Sequence, residues 1–279
     1  MKITRFICTL LFPTALAAMT TFAIFPARLR AQEALPVYTE KQEREYKFYP
    51  GGKIGIALEV PGSLKIIGWE RSSVHMEAEI KVRSLEEGKA RALLEKSPIR
   101  VRYTDTASTI QVTESSELKG LLDVNLTVHI PGARTDLAMQ VKKGDFAISD
   151  VNGWIEVSLA EGNMELTAID GYFSGKTLKG TISANLSGNR WRGQGFTAVT
   201  QDGGINLLLP ENYSAILQLD TSNGEIALDY PSQEVEGELI PPEVVVKKKA
   251  QQLKVRIGDG GAPLLLGTQS GNVSLRKKA

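Results

Sequence analysis

Cysteine is almost absent from this chain of 279 residues: the single copy is Cys8, near the start. Neither a disulfide framework nor a thiolate metal cluster can therefore hold the rest together. Aromatics make up 6% and histidine occurs twice, so stacking platforms and imidazole ligands are few. No sign of charge dominates, with 33 Lys and Arg against 32 Asp and Glu. Setting aside the first 31 residues removes Lys2, Arg5, Arg28 and Arg30, so the formal +1 becomes 29 against 32, or −3. A basic nucleic-acid binder is not indicated. At 42% hydrophobic and 23% charged the composition is that of a globular protein, too polar for a polytopic membrane protein and too apolar for wholesale disorder. What is plentiful is glycine, with 26 copies.

The start of the chain reads as a targeting signal. Lys2 and Arg5 precede an uncharged stretch from Phe6 to Ala27, the layout of a positive n-region followed by an apolar h-region. Residues 1–31 are expected to be a signal peptide cleaved after Ala31, with Ala15-Leu16-Ala17 as a competing site. The rival is an uncleaved anchor, since 22 uncharged residues are enough to span a bilayer at ~1.5 Å per residue. Pro13 and the scattered Thr favour export with cleavage, and Cys8 lies too close to Arg5 for a lipobox. The expected location is the periplasm or the cell surface, with membrane contact only if the segment stays uncleaved.

Residues 32–50 are polar and charged without a sustained period and are expected to be a tether. Residues 51–279 read as one all-β domain. In Ser73–Val82, the set Val74, Met76, Ala78, Ile80 and Val82 alternates with polar residues, which is the period of a half-buried strand. One helix is expected over 84–96: Ser84 as N-cap has Glu87 three residues on, Ala90, Leu93 and Leu94 form an apolar stripe, and Pro98 stops it. Strands resume at Ile99–Tyr103, Thr109–Thr113 and Val124–Ile130, and Pro131-Gly132 closes that block.

A repeat follows. Glycines 144, 153, 162, 171 and 180 are each nine residues apart, and the second residue after each is Phe146, Ile155, Met164, Phe173 or Ile182. The fourth position carries Ile148, Val157, Leu166, Gly175 and Ala184, so one copy departs from the apolar rule. The third and fifth positions are mostly polar, giving one buried and one wet face. Looser copies return at Thr200-Gln-Asp-Gly, Thr221-Ser-Asn-Gly and Thr268-Gln-Ser-Gly, each followed by an alternating strand. Such a period predicts a β-solenoid or rolled β-sheet of one unit stacked on copies of itself.

The phrases Gly52-Lys-Ile-Gly-Ile, Ile66-Ile-Gly-Trp-Glu-Arg-Ser-Ser-Val-His-Met-Glu-Ala, Thr221-Ser-Asn-Gly-Glu-Ile-Ala-Leu and Gln269-Ser-Gly-Asn-Val-Ser-Leu resemble the bacterial putative-adhesin family of β-strand-repeat domains of unknown function. The resemblance covers roughly Gly51 to Arg276. It implies an exported single-domain β-solenoid of envelope or surface proteins, with no catalytic residues or cofactor to carry over.

Candidate chemistry is sparse. A nine-residue Gly repeat invites comparison with calcium-binding β-rolls, but Asp145, Trp154, Asn163, Tyr172 and Thr181 follow the glycines where that motif needs a second Gly. Asp145, Asp150 and Asp170 are expected to be turn formers bonding their own backbone. Asp220, Glu225 and Asp229 bracket one strand and are the best carboxylate cluster for a polysaccharide hydrolase or lyase. His75 and His129 fall on polar strand faces and are expected to be lone exposed histidines, with no metal assigned. Arg190, Trp191 and Arg192 interrupt the repeat and are the candidate ligand-binding residues: a Trp between two guanidinium groups suits a sugar or an anionic glycan or headgroup, the alternative being a Trp folded back over the rim. Lys247-Lys-Lys and Arg276-Lys-Lys are read as solvated strand ends, and the sequons at Asn125, Asn185, Asn212 and Asn272 as accidents of polar β-sequence. The expected function is a non-enzymatic envelope or adhesion module, without cofactor or nucleic-acid partner, against a polysaccharide-acting enzyme.

Overall fold

The computed structural model describes residues 36–278, apart from 85, 96–97, 231–232, 242–243, 245 and 250–251. The expected signal segment, residues 1–31, lies outside the described residues. Among the described residues no helix is long and apolar enough to cross a membrane.

The described residues begin with β1 (Val37–Lys47), β2 (Lys53–Pro61), β3 (Leu64–Trp69) and β4 (Ser73–Arg83), then α1 (Glu87–Glu95), β5 (Ile99–Tyr103), β6 (Ala107–Val112) and β7 (Leu122–Pro131). The repeat region holds β8 (Asp136–Lys143), β9 (Phe146–Ser149), β10 (Asn152–Glu161), β11 (Met164–Thr167), β12 (Asp170–Lys179), β13 (Ile182–Asn185), β14 (Gly195–Asp202) and β15 (Ile205–Leu209). The remainder is β16 (Ala215–Asn223), β17 (Ile226–Asp229), β18 (Gln233–Val235), β19 (Glu238–Ile240), β20 (Val246–Lys248), β21 (Gln252–Ile257), β22 (Pro263–Ser270) and β23 (Val273–Lys277). They form an 11-stranded sheet, β1-β4-β7-β3-β9-β11-β13-β15-β23-β17-β20, and a 12-stranded sheet, β19-β18-β21-β16-β22-β14-β12-β10-β8-β2-β6-β5. The buried side chains of both sheets make one continuous core.

The nine-residue period is half of the unit that stacks. Ile155 of β10 pairs with Phe173 of β12 and Met164 of β11 with Ile182 of β13, each 18 residues on and parallel. Strands nine residues apart therefore lie in different sheets. Phe146, Ile155, Met164, Phe173 and Ile182 are all fully buried, as the alternation predicts. Gly175 breaks the apolar rule because a side chain has no room: a Cβ there would lie 2.5 Å from Cζ of Phe173 and 3.0 Å from Sδ of Met164. The Phe173 ring, stacked on Phe196 at 4.9 Å, takes that space.

One glycine shows why the corners repeat. Gly162 has φ +138°, and a Cβ on it would sit 2.1 Å from the carbonyl oxygen of Gly144, so both the dihedral and the close approach of the next layer demand glycine. The column continues, with Gly180 set against Gly162, Gly203 against Gly180 and Gly271 against Gly203. Neighbouring polar residues tie these corners together. Asn163 N donates to Asp145 Oδ1 at 2.9 Å and Thr181 N to Asn163 Oδ1 at 3.0 Å. Asp145 thus bonds the backbone of the next layer, not its own as expected from sequence. In the looser copies the leading threonines supply buried hydroxyls: Thr200 Oγ1 donates to the Gly180 carbonyl at 3.0 Å, Thr268 to Gly203 at 2.8 Å and Thr221 to Gly271 at 2.8 Å. A buried hydroxyl that meets a buried carbonyl leaves neither unsatisfied.

Layer order departs from chain order at both ends. The strand pairs run β6/β7, β2/β3, β8/β9, β10/β11, β12/β13, β14/β15, β22/β23, β16/β17. The last pair of the chain is thus slotted inside the preceding one. Antiparallel strands close each end: β4 on β7 and β5 on β6 at one, β21 on β16 and β20 on β17 at the other.

The segment 32–50 is corrected over most of its length. Residues 37–47, read as tether, form β1 along the whole of β4. Only Tyr46 of that strand is buried, so no apolar alternation advertised it. The helix is confirmed at Glu87–Glu95 with Ala90, Leu93 and Leu94 buried. Ser84 Oγ accepts from Glu86 N at 3.3 Å, while Glu87 pairs forward with Arg91 instead of closing a capping box.

Candidate functional site

The structure separates the three residues picked out by the break in the repeat. Trp191 is 4% exposed. Its Nε1 donates to the Gly171 carbonyl at 3.0 Å and its ring meets Phe196 edge-on at 5.3 Å. A ring so enclosed offers no face to a sugar, so Trp191 is a core residue and the expectation that it stacks on a ligand is corrected. Arg192 is exposed and pairs with Asp170 at 2.8 Å; Arg190 is exposed at an isolated bridge to Ser214. The carboxylate cluster also disperses. Asp220 is exposed on β16 in the 12-stranded sheet and Asp229 on β17 in the 11-stranded sheet, so they do not face one space.

The two histidines, expected to be lone, stand directly opposite each other. His75 of β4 is the register partner of His129 of β7, with ring centroids 5.8 Å apart. His75 Nε2 lies 3.1 Å from Glu77 Oε1 and 3.4 Å from Glu43 Oε1, and its Nδ1 lies 3.9 Å from Glu45 Oε2. One ligand atom each from His75, Glu77 and His129 falls within 4.8 Å of the others. The His129 ring is stacked on Trp69 at 5.2 Å, and its buried Nδ1 has no hydrogen-bond partner among the described residues. Trp69 is itself fixed: its Nε1 donates to the Ser73 carbonyl at 2.9 Å, and the Arg71 guanidinium lies over its ring at 4.9 Å. Glu79, the next outward residue after Glu77, is engaged elsewhere. A hydrogen bond from Lys81, reinforced by Asn125, holds its carboxyl below the usual carboxylate range. The signal available in sequence was that both histidines of the chain, and Trp69, occupy outward positions of neighbouring strands.

From this pair a straight row crosses the sheet. His129 is level with Ile67, Ile67 with Ser149, Ser149 with Thr167, Thr167 with Asn185, Asn185 with Leu208 and Leu208 with Arg276. Beside its far end runs a second row, Glu165, Ser183, Asn206 and Ser274. The two rows line an open trough of about 510 Å³. Ser274 Oγ donates to Asn206 Oδ1 at 3.0 Å, whereas the buried Oδ1 of Asn185 has no partner. On the other sheet Trp154 and Tyr172 stack at 3.9 Å in an outward pair, with Trp154 42% exposed. Trp154, unlike Trp191, is an exposed aromatic.

No family model matches the chain, and no curated protein matches it. Several solved structures are similar in shape. One is a putative cell adhesion protein from Clostridium sporogenes, 13% identical with a TM-score of 0.44, the match covering 86% of this chain and 100% of the other. A second is a putative adhesin from Bacteroides fragilis, 12% identical with a TM-score of 0.31, covering 85% and 97%. A third is a putative lipid binding protein from Parabacteroides distasonis, 9% identical with a TM-score of 0.33, covering 84% and 96%. Identities and scores this low leave the reading of the chain to its own residues.

Proposed function

We propose that the protein is an exported, non-enzymatic β-solenoid module of the bacterial envelope or surface, which binds an envelope glycan or surface component through its outward sheet faces. The solenoid reading rests on the 18-residue parallel register and the column of glycine corners. The observation that carries the binding reading is the trough: four successive layers present mostly polar side chains, interrupted by Leu208, in two level rows. Such a ribbed surface offers hydroxyl, amide and guanidinium groups at the ~4.8 Å strand spacing. Glu165 is the one carboxylate in the lining, whereas hydrolysis of a glycoside by paired carboxylates needs two across the bond.

The test is a glycan array and attachment to isolated envelope, run beside a reducing-sugar release assay. Ser183→Leu and Asn206→Leu should abolish attachment with the melting temperature unchanged within a few degrees. Attachment unaffected by both would remove the trough as the binding face. Release of reducing ends by the unmodified protein would replace the module with a polysaccharide-acting enzyme.

A further inference from the structure

We infer that His75, His129 and Glu77 form a binding site for a borderline divalent transition metal of the zinc type. Two imidazoles and a carboxylate are the donor set such ions take, while hard cations take oxygen donors alone. At metal–ligand bonds of about 2.0–2.1 Å, tetrahedral ligands stand roughly 3.4 Å apart. His75 Nε2 and Glu77 Oε1 are already 3.1 Å apart, and the widest of the three separations, within 4.8 Å, closes by a modest side-chain rotation. Glu43 Oε1 lies 3.4 Å from His75 Nε2, and it or a water would complete the remaining position.

Two further observations point to a cation. Glu43 and Glu77 are direct register partners on adjacent strands, an arrangement that like charges disfavour, yet both carboxylates turn toward the same imidazole nitrogen. Glu45 approaches the other nitrogen of that ring, so three carboxylates surround one side chain, and a divalent ion bound there would relieve their repulsion. Independently, Nδ1 of His129 is buried without a partner, a cost that buried polar atoms normally avoid. The rings are held by what lies behind them, since Trp69 stacks on His129 and is tethered through Ser73. Because His129 begins the row that leads to the trough, a bound ion would sit on the same outward face as the proposed binding surface. The metal site nevertheless stands on its own geometry.

The test uses the untagged full chain with Cys8→Ser, so that no thiol competes. Titration with zinc chloride, followed calorimetrically and by proton NMR, should give one ion per chain. The chain has two histidines, so their imidazole signals are assignable, and both should shift together at one equivalent. Calcium and magnesium should leave them in place. His129→Gln and Glu77→Gln should each weaken zinc binding by about tenfold or more, while Glu79→Gln should leave it unchanged. Absence of binding, movement of only one imidazole, or affinity insensitive to Glu77→Gln would overturn the site. The titration of the unsubstituted histidine pair decides the matter even if His129→Gln fails to fold.

Discussion

The middle of the molecule and its two ends are built from the same strands by different rules. From β8 to β15 the chain advances one strand pair per layer, every neighbour is parallel, and sequence order is spatial order. At the ends this order breaks: at one, β6/β7 is added outside β2/β3 before the chain returns to the other side for β8/β9, and at the other, β22/β23 fills the place between β14/β15 and β16/β17. Antiparallel strands then cover the outermost layers. A stack of parallel pairs has an open edge at each end, which is a template for aggregation unless it is capped or its strands are charged. Here β1, the outermost strand at one edge, is largely Glu, Lys, Arg and Gln. The middle therefore supplies the repeat, and the ends supply closure.

The largest expected effect comes from removing the inserted pair. Ending the chain at Ala262 deletes β22 and β23, the strands that join β14 to β16 and β15 to β17. The C-terminal layers should lose cooperative folding, seen as protease sensitivity beyond β15. Deleting residues 1–47, which takes away β1 and its mostly exposed side chains, should leave the rest folded. Equal damage from the two truncations would contradict the distinction between an internal layer and an edge.

Within the middle, Ile155→Asp or Leu166→Asp places an unpaired charge in the shared core, at a cost of about 3–5 kcal/mol or more. Either should unfold the domain at room temperature. Glu156 is exposed and accepts a hydrogen bond from Trp154 Nε1, so Glu156→Ala should be nearly silent in a thermal melt.

Next in size is Trp191→Ala, expected to lose about 3–5 kcal/mol as an enclosed aromatic. Arg192→Ser breaks an ion pair whose guanidinium side is 72% exposed and should cost less than about 1 kcal/mol. Denaturant midpoints for the pair check this contrast.

The smallest effect is expected at one of two contrasting glycines. Gly55 has open space around a would-be Cβ, so Gly55→Thr should be neutral or stabilise by about 0.5–1 kcal/mol. Gly162→Ala meets the Gly144 carbonyl at a positive φ and should cost more than about 2 kcal/mol. A melting temperature raised by both would show that the corners are not close-packed.

The parts of this molecule that sequence revealed are those where a local cause repeats. Gly162 and its kin recur every nine residues because each corner meets the layer before it, and Phe146 to Ile182 alternate because each strand buries one side. What stayed hidden depends on pairing between distant segments. β1 shows no alternation, since only Tyr46 is buried and most of its side chains stay partly or fully exposed. His75 and His129 are far apart in sequence and become partners only through the register of β4 on β7. Trp191 sits in a polar, Gly-flanked stretch that reads as exposed, and only the return of its indole to Gly171 places it in the core. The doubling of the repeat from nine to 18 residues was also illegible, because two sheets with the same alternation leave the same pattern in the sequence.

The inserted layer is the central claim, and disulfide trapping tests it most directly. Thr197 of β14 is level with Leu265 of β22, and Leu265 with Gln218 of β16. All three occupy outward positions on the 12-stranded sheet. Adjacent strands are ~4.8 Å apart and second neighbours ~10 Å, while a disulfide needs Cα atoms within about 7 Å. In a Cys8→Ser background, Thr197→Cys with Leu265→Cys should oxidise to an intramolecular cross-link, and Thr197→Cys with Gln218→Cys should not. A cross-link in the second variant and none in the first would mean that the layers follow chain order and that β22 is not inserted.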